Sequence, residues 1–178
     1  MEKYGFKETE VSLAKIELNG QGDYVVVSAD DPVVFDRFAA GYKHIVELAD
    51  SLPGKLEEIE KRFEGKEEFT DVMEKTVAMS GVNVSFSKEA VAVMDDILGE
   101  GAVRKHFCNA YKEIPDFLPD VDCFMTFLEK LTPVMEKIFN RKMERMETAS
   151  KARMAKYQPQ DHKPPYQGQG NRRKRPRR

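Results

Sequence analysis

From about residue 31 to residue 150 the chain repeats apolar side chains at steps of three and four, a period that fits amphipathic α-helices and not strands. Asp31 before Pro32 reads as a helix start, because the aspartate accepts from free first-turn amides and proline at the first position loses no bond. Val34, Phe35, Phe38, Tyr42, Ile45, Val46 and Ala49 then form one stripe to about Ser51, where Pro53-Gly54 is expected to end or kink the helix. A charged helix over about 55–63 keeps Leu56, Ile59 and Phe63 as its buried candidates. Phe69, Val72, Met73, Thr76 and Val77 mark a third helix, expected to stop near Gly81. Ser85 or Ser87 is the expected cap of a fourth, with Ala90, Val91, Met94 and Ile97 inward. Gly99 falls where a left-handed C-terminal cap belongs, and Gly101 reopens the chain into a short helix over about 102–108. Prolines 115 and 119 force extended backbone before them. Asp120 then caps the longest helix, about 121–150, with Val121, Phe124, Leu128, Leu131, Met135, Ile138 and Phe139 inward and a kink expected at Pro133.

Ahead of the helices the pattern changes. Ala14, Ile16 and Leu18 alternate onto one face, Asn19-Gly20-Gln21-Gly22-Asp23 tolerates positive φ, and Tyr24-Val25-Val26-Val27 is β-branched, which together predict a hairpin. An isolated hairpin is marginal in water, so this one must pack on the helices or pair with another subunit. The fold class is mainly α: a compact helical domain over 11–150 with a small N-terminal hairpin, a flexible N-terminus over 1–10, and a helix end and disordered basic tail over 151–178.

The charge is divided along the chain. Residues 1–150 hold 19 Lys/Arg against 30 Asp/Glu, a net of −11, whereas residues 151–178 hold 10 against 1, a net of +9. From about Gln158 the composition is Gln, Pro, Gly and Arg without apolar period, too poor in apolar surface to offset the entropy of ordering. No apolar run is long enough for a membrane helix or a signal peptide, so no membrane is expected, and Cys108 and Cys123 read as two reduced thiols of a cytoplasmic protein.

The chemistry of an enzyme is thin. His106 and Cys108, two apart, point about 200° from each other on a continuous helix. Zinc wants four ligands with short paired spacings, which His44 and His162 do not provide. Gly99-Glu100-Gly101 lacks the preceding strand and third glycine of a dinucleotide fingerprint. No catalytic residue, metal ligand or cofactor is assigned. A polyanion or nucleic-acid binder is the alternative, resting on Arg172, Arg173, Lys174, Arg175, Arg177 and Arg178, which can displace counterions from phosphates. The acidic body opposes it. The tail reads equally as a solubilising end or as an arm for an acidic protein surface, including a neighbouring copy.

A binding or assembly role has cumulative support. Met73, Met94 and Met135 read as core, while Met143, Met146 and Met154 extend along the end of the last helix, where flexible thioethers adapt to varied apolar partners. Phe117, Leu118, Met143 and Met146 are the expected partner or self contacts, although Phe117 and Leu118, set between two prolines, equally suit a place in the core.

The order of parts then takes on a family likeness. The hairpin, the paired aromatics of Phe35-Asp36-Arg37-Phe38, the charged middle helices, the stretch from Phe86 to Phe107 with Leu98-Gly99-Glu100-Gly101, and Phe124-Met125-Thr126-Phe127-Leu128-Glu129-Lys130-Leu131-Thr132-Pro133 resemble the tail assembly chaperones of long-tailed bacteriophages and prophages over about residues 11–140. The resemblance implies a non-catalytic factor of the bacterial host cytoplasm that binds the tape measure protein, keeps it soluble and helps tail tube protein assemble around it. It also implies two lengths made by ribosomal frameshifting, with the tail here ending the shorter form or connecting to the longer. A long helical tape measure protein suits an adaptable apolar surface.

Overall fold

The computed structural model describes residues 11–157. It is mainly α with one antiparallel hairpin, and the chain divides into two units at Met143/Glu144. The expected flexible N-terminus, the disordered tail and the arginine cluster Arg172–Arg178 lie outside the described residues.

In the first unit, β1 (Leu13–Glu17) pairs with β2 (Tyr24–Ser28) in the register Leu13↔Ser28 to Glu17↔Tyr24. Gly20 and Gly22 both take positive φ in the turn, as the sequence requires. Ile16, Leu18, Val25 and Val27 are buried among helical side chains, so the hairpin is held by the helices.

α1 (Pro32–Arg62) starts as expected, with the Asp31 carboxylate accepting from the Val33 N–H at 2.9 Å. It does not stop or divide at Pro53, and the two helices expected over 31–63 are one. Proline inside a helix costs about 3 kcal/mol. Here the apolar period runs straight through it: Ile45, Ala49, Leu52, Leu56, Ile59 and Phe63 keep the same stripe buried or half-buried. α2 (Phe69–Leu98) likewise passes Gly81, where two helices were expected. Ser85 and Ser87 cap nothing: their hydroxyls donate back to the Gly81 and Asn83 carbonyls at 2.9 and 3.0 Å inside the helix. Ser87, buried, also reaches the Pro119 carbonyl at 2.7 Å and so fastens the proline segment to α2. α1 and α2 approach closely at Gly41, where an added Cβ would come within 2.8 Å of Val93 Cγ1 and 2.5 Å of Ile97 Cδ1.

The glycine pair after α2 works differently from the expected left-handed cap. Gly99 has positive φ but extended ψ, 100° and 153°, and it is Gly101 that is left-handed, at 75° and 13°. Asp95, in the last turn of α2, is half-buried and spans the break. Its carboxylate accepts from the Gly101 and Val103 N–H groups, both at 3.1 Å, so a residue of α2 satisfies the start of α3 (Ala102–His106). The chain then breaks at Phe107 and continues as α4 (Cys108–Glu113), a helix that the sequence reading did not separate.

α5 (Val121–Tyr157) begins at Asp120, whose carboxylate accepts from the Cys123 N–H at 2.8 Å. That bond holds the Asp120 carboxyl below its ordinary value. A carboxyl with a lowered folded-state value adds stability above its ordinary value near pH 3.8 and loses it as pH falls through the lower folded value. Asp120→Asn is therefore expected to keep the cap but flatten this acidic limb, while Asp120→Ala costs about 1 kcal/mol at neutral pH. Urea melts at pH 7 and pH 3 check both.

Phe124, Phe127, Leu128, Leu131, Met135 and Ile138 are buried, and Val121 half-buried, as the spacing implies except for Phe127, which it missed. Phe139 is 40% exposed, though it sits edge-on to Phe35 of α1 at 5.0 Å. Pro133 does not interrupt α5, which runs seven residues past its expected end at 150. The described part of the second unit is its helical stretch 144–157.

Candidate functional site

The largest departure from the expected core lies on the first half of α2. Of the residues that mark the expected third helix, Met73 was expected in the core, yet it is 48% exposed, and Phe69, Val72 and Val77 beside it are 80%, 49% and 67% exposed. α2 carries apolar residues on two sides here. The side that packs is Ala78, Met79 and Val82, half-buried, in line with buried Phe86 and Ala90 one and two turns on. Phe69, Met73, Thr76, Val77, Ser80 and Val84 recur at three- and four-residue steps on the side away from it, and exposed Val72 lies at its edge, in line with Met79. Fifteen rises of 1.5 Å make this face about 22 Å long.

At its far end the face runs into a groove of about 410 Å³ lined by Thr76, Met79, Ser80, Asn83, Val84, Ser87, Leu118 and Asp120. Of the expected contact residues, Leu118 is thus brought to this face. Ser87 positions it through the neighbouring Pro119 carbonyl. Phe117 is not: it is half-buried against Tyr111 and Phe107, with ring centroids 5.5 and 5.9 Å away. Burial raises the Tyr111 hydroxyl above its ordinary value, and Arg104, over the ring at 4.9 Å, opposes that shift. The sequence signal for the α2 face was present, since its period was legible; what the period does not say is which of two stripes is covered.

Met143 and Met146 are 40% and 55% exposed along α5, and Met154 is 67% exposed. Met94 and Met135 are fully buried, and Met73 leaves the core for the α2 face.

A second concavity, about 650 Å³, lies between the hairpin turn and α3, α4 and α5, lined among others by Leu18, Asn19, Gln21, His106, Cys108, Asn109, Phe127 and Lys130. Because the chain breaks at Phe107, His106 and Cys108 both line it; the 200° separation holds only for a continuous helix. Their polar atoms are engaged in holding the turn. His106 Nδ1 meets the Leu18 carbonyl, and the Asn19 amide donates to the Lys105 carbonyl at 2.8 Å and to Cys108 Sγ at 3.2 Å. Gln21 Nε2 donates to Asn109 Oδ1 at 3.1 Å. Cys123 is exposed, and the neighbouring Asp120 carboxylate raises its thiol. Among the described residues no group of three or more His, Cys, Asp or Glu side chains is placed to hold a metal ion. No helix there is long and apolar enough to cross a membrane.

No protein-family model matches the chain, and no curated protein or solved structure matches it either.

Proposed function

We propose that this protein is a tail assembly chaperone of a long-tailed bacteriophage or prophage, acting in the host cytoplasm without catalysis. It binds the tape measure protein, keeps it soluble and helps tail tube subunits assemble around it. The observation that carries this reading is the exposed apolar face from Phe69 to Val84. Exposed Phe69, Val72, Met73, Val77 and Val84 on one helix call for a cover, because apolar strips in water otherwise drive aggregation. The strip has the length of about four helical turns, which suits docking an amphipathic helix by its own three- and four-residue period. Many such helical segments on one long client would raise the effective concentration of each further contact. The resemblance of residues 11–140 to that family supplies the identity of the client.

The test is co-expression of the full chain with a tape measure protein of a long-tailed phage, scoring the client's soluble fraction. The wild type is expected to hold the client in solution. Met73→Asp with Val77→Asp is expected to lose that effect while keeping the helical circular dichroism of the wild type. Removal of residues 158–178 is expected to leave it unchanged. Retention of the effect by the double variant overturns the reading. If instead removal of 158–178 abolishes both client solubility and a nucleic-acid gel shift, the polyanion-binding alternative carried by Arg172–Arg178 replaces it.

A further inference from the structure

We propose that the α2 face is covered, in the absence of a client, by the methionine-bearing end of α5 from a second copy of this chain. Length, spacing and charge match. Met143, Met146, Ser150 and Met154 fall at i, i+3, i+7 and i+11, which puts them on one side of α5. Met143 to Tyr157 spans about 21 Å at 1.5 Å per residue, against about 22 Å for Phe69 to Val84. Both strips are exposed, and thioethers fill an irregular partner surface readily.

Charge then selects this pairing over a face-to-face one. Residues 57–75, around the start of the α2 face, hold 8 Asp/Glu against 4 Lys/Arg. At the other end Asp120 lines the groove and Asp116 lies in the adjoining loop. Residues 141–156 of α5 reverse the balance, with 6 Lys/Arg against 2 Asp/Glu, placed at both ends of the methionine strip. Two α2 faces would bring acid to acid. Pairing an α2 face with an α5 end instead sets the acidic stretch 57–75 beside the face, net −4, against the α5 stretch 141–156, net +4. Opposed patches of this kind fix the partner and its register, and the contact weakens with salt. Self-association and client binding then compete for one surface, so the face is shielded until a client displaces the neighbour.

Sedimentation equilibrium on the full chain tests this with two double variants. Met73→Asp with Val77→Asp disables the face; Met146→Asp with Met154→Asp disables the helix. Wild type is expected to associate at low salt, and each variant alone to associate about tenfold more weakly or worse. An equal mixture of the two is expected to recover association, because one chain retains its helix and the other its face. A wild type that stays monomeric to about 100 µM overturns the inference. So does a variant that associates alone like wild type, or a mixture that does not recover. The outcome separates from the proposed function, since both use the α2 face but only self-association needs Met146 and Met154. A helix variant that is monomeric yet still holds the client in solution leaves the chaperone reading standing. A chain that self-associates as described but holds no client overturns the chaperone reading alone.

Discussion

Phe124→Ala is expected to destabilise the protein by about 3–5 kcal/mol, the usual loss for a buried phenylalanine whose cavity cannot collapse. Phe124 is fully buried, edge-on to Phe86 of α2 at 6.2 Å and to Phe127 one turn along α5 at 5.8 Å. The ring thus joins the second helix to the last, and the truncation removes both contacts together with the burial. For a body of this size the melting midpoint should fall by about 10 °C. Thr126→Ala, two residues along and exposed, is the control, expected to stay within about 0.5 kcal/mol. A chemical denaturation series on the three proteins measures both values, and a Phe124→Ala loss below about 1 kcal/mol would show that the α2–α5 packing described above is wrong.

Asp95→Ala carries the second large effect. Two N–H groups at the start of α3 lose a charged acceptor, and hydrogen bonds to charged groups contribute about 1.5–3 kcal/mol. Asp95→Asn should fall between, since an amide offers one oxygen and turns an N–H toward the second donor. The damage should not stay local. α3 carries the Lys105 carbonyl that accepts from Asn19 and the Lys105 ammonium that donates to the Tyr24 carbonyl, so the hairpin loosens with it. Amide exchange at Val103, Lys105, Leu18 and Val25 is expected to speed up together, while that of Leu128 and Leu131 is expected to follow only the global loss. A neutral Asp95→Ala would show that the carboxylate does not hold the start of α3.

How far the sequence could be read follows from these cases. Local chemistry was legible where one residue decides the outcome: the turn glycines of the hairpin, and Asp31 and Asp120 as caps. The inward period of α5 was legible because that segment carries one strong stripe. Pro53 and Gly81 misled because a local breaker is outweighed when packing on both sides continues the helix, and packing partners are not written in the neighbouring residues. Asp95 was missed for the same reason, since its partners lie six and eight residues on, across a change of direction. Met73 was misassigned to the core because two stripes of similar character share one helix. Exposed valines, a phenylalanine and a methionine look like core until the real core is found on the other side.

Pro53 and Gly81 have one more consequence. Gly81 lines the same small cavity as Leu52 and Lys55, the residues on either side of Pro53-Gly54, so the weakest point of each long helix falls at one level of the pair. Beyond that level lie Lys55–Arg62 and Phe69–Ser80, joined by a short loop and bearing most of the apolar face. If a partner docks on this face as proposed, it docks on the segment beyond the two residues that favour a continuous helix least, where bending costs each helix least and the core beneath need not change.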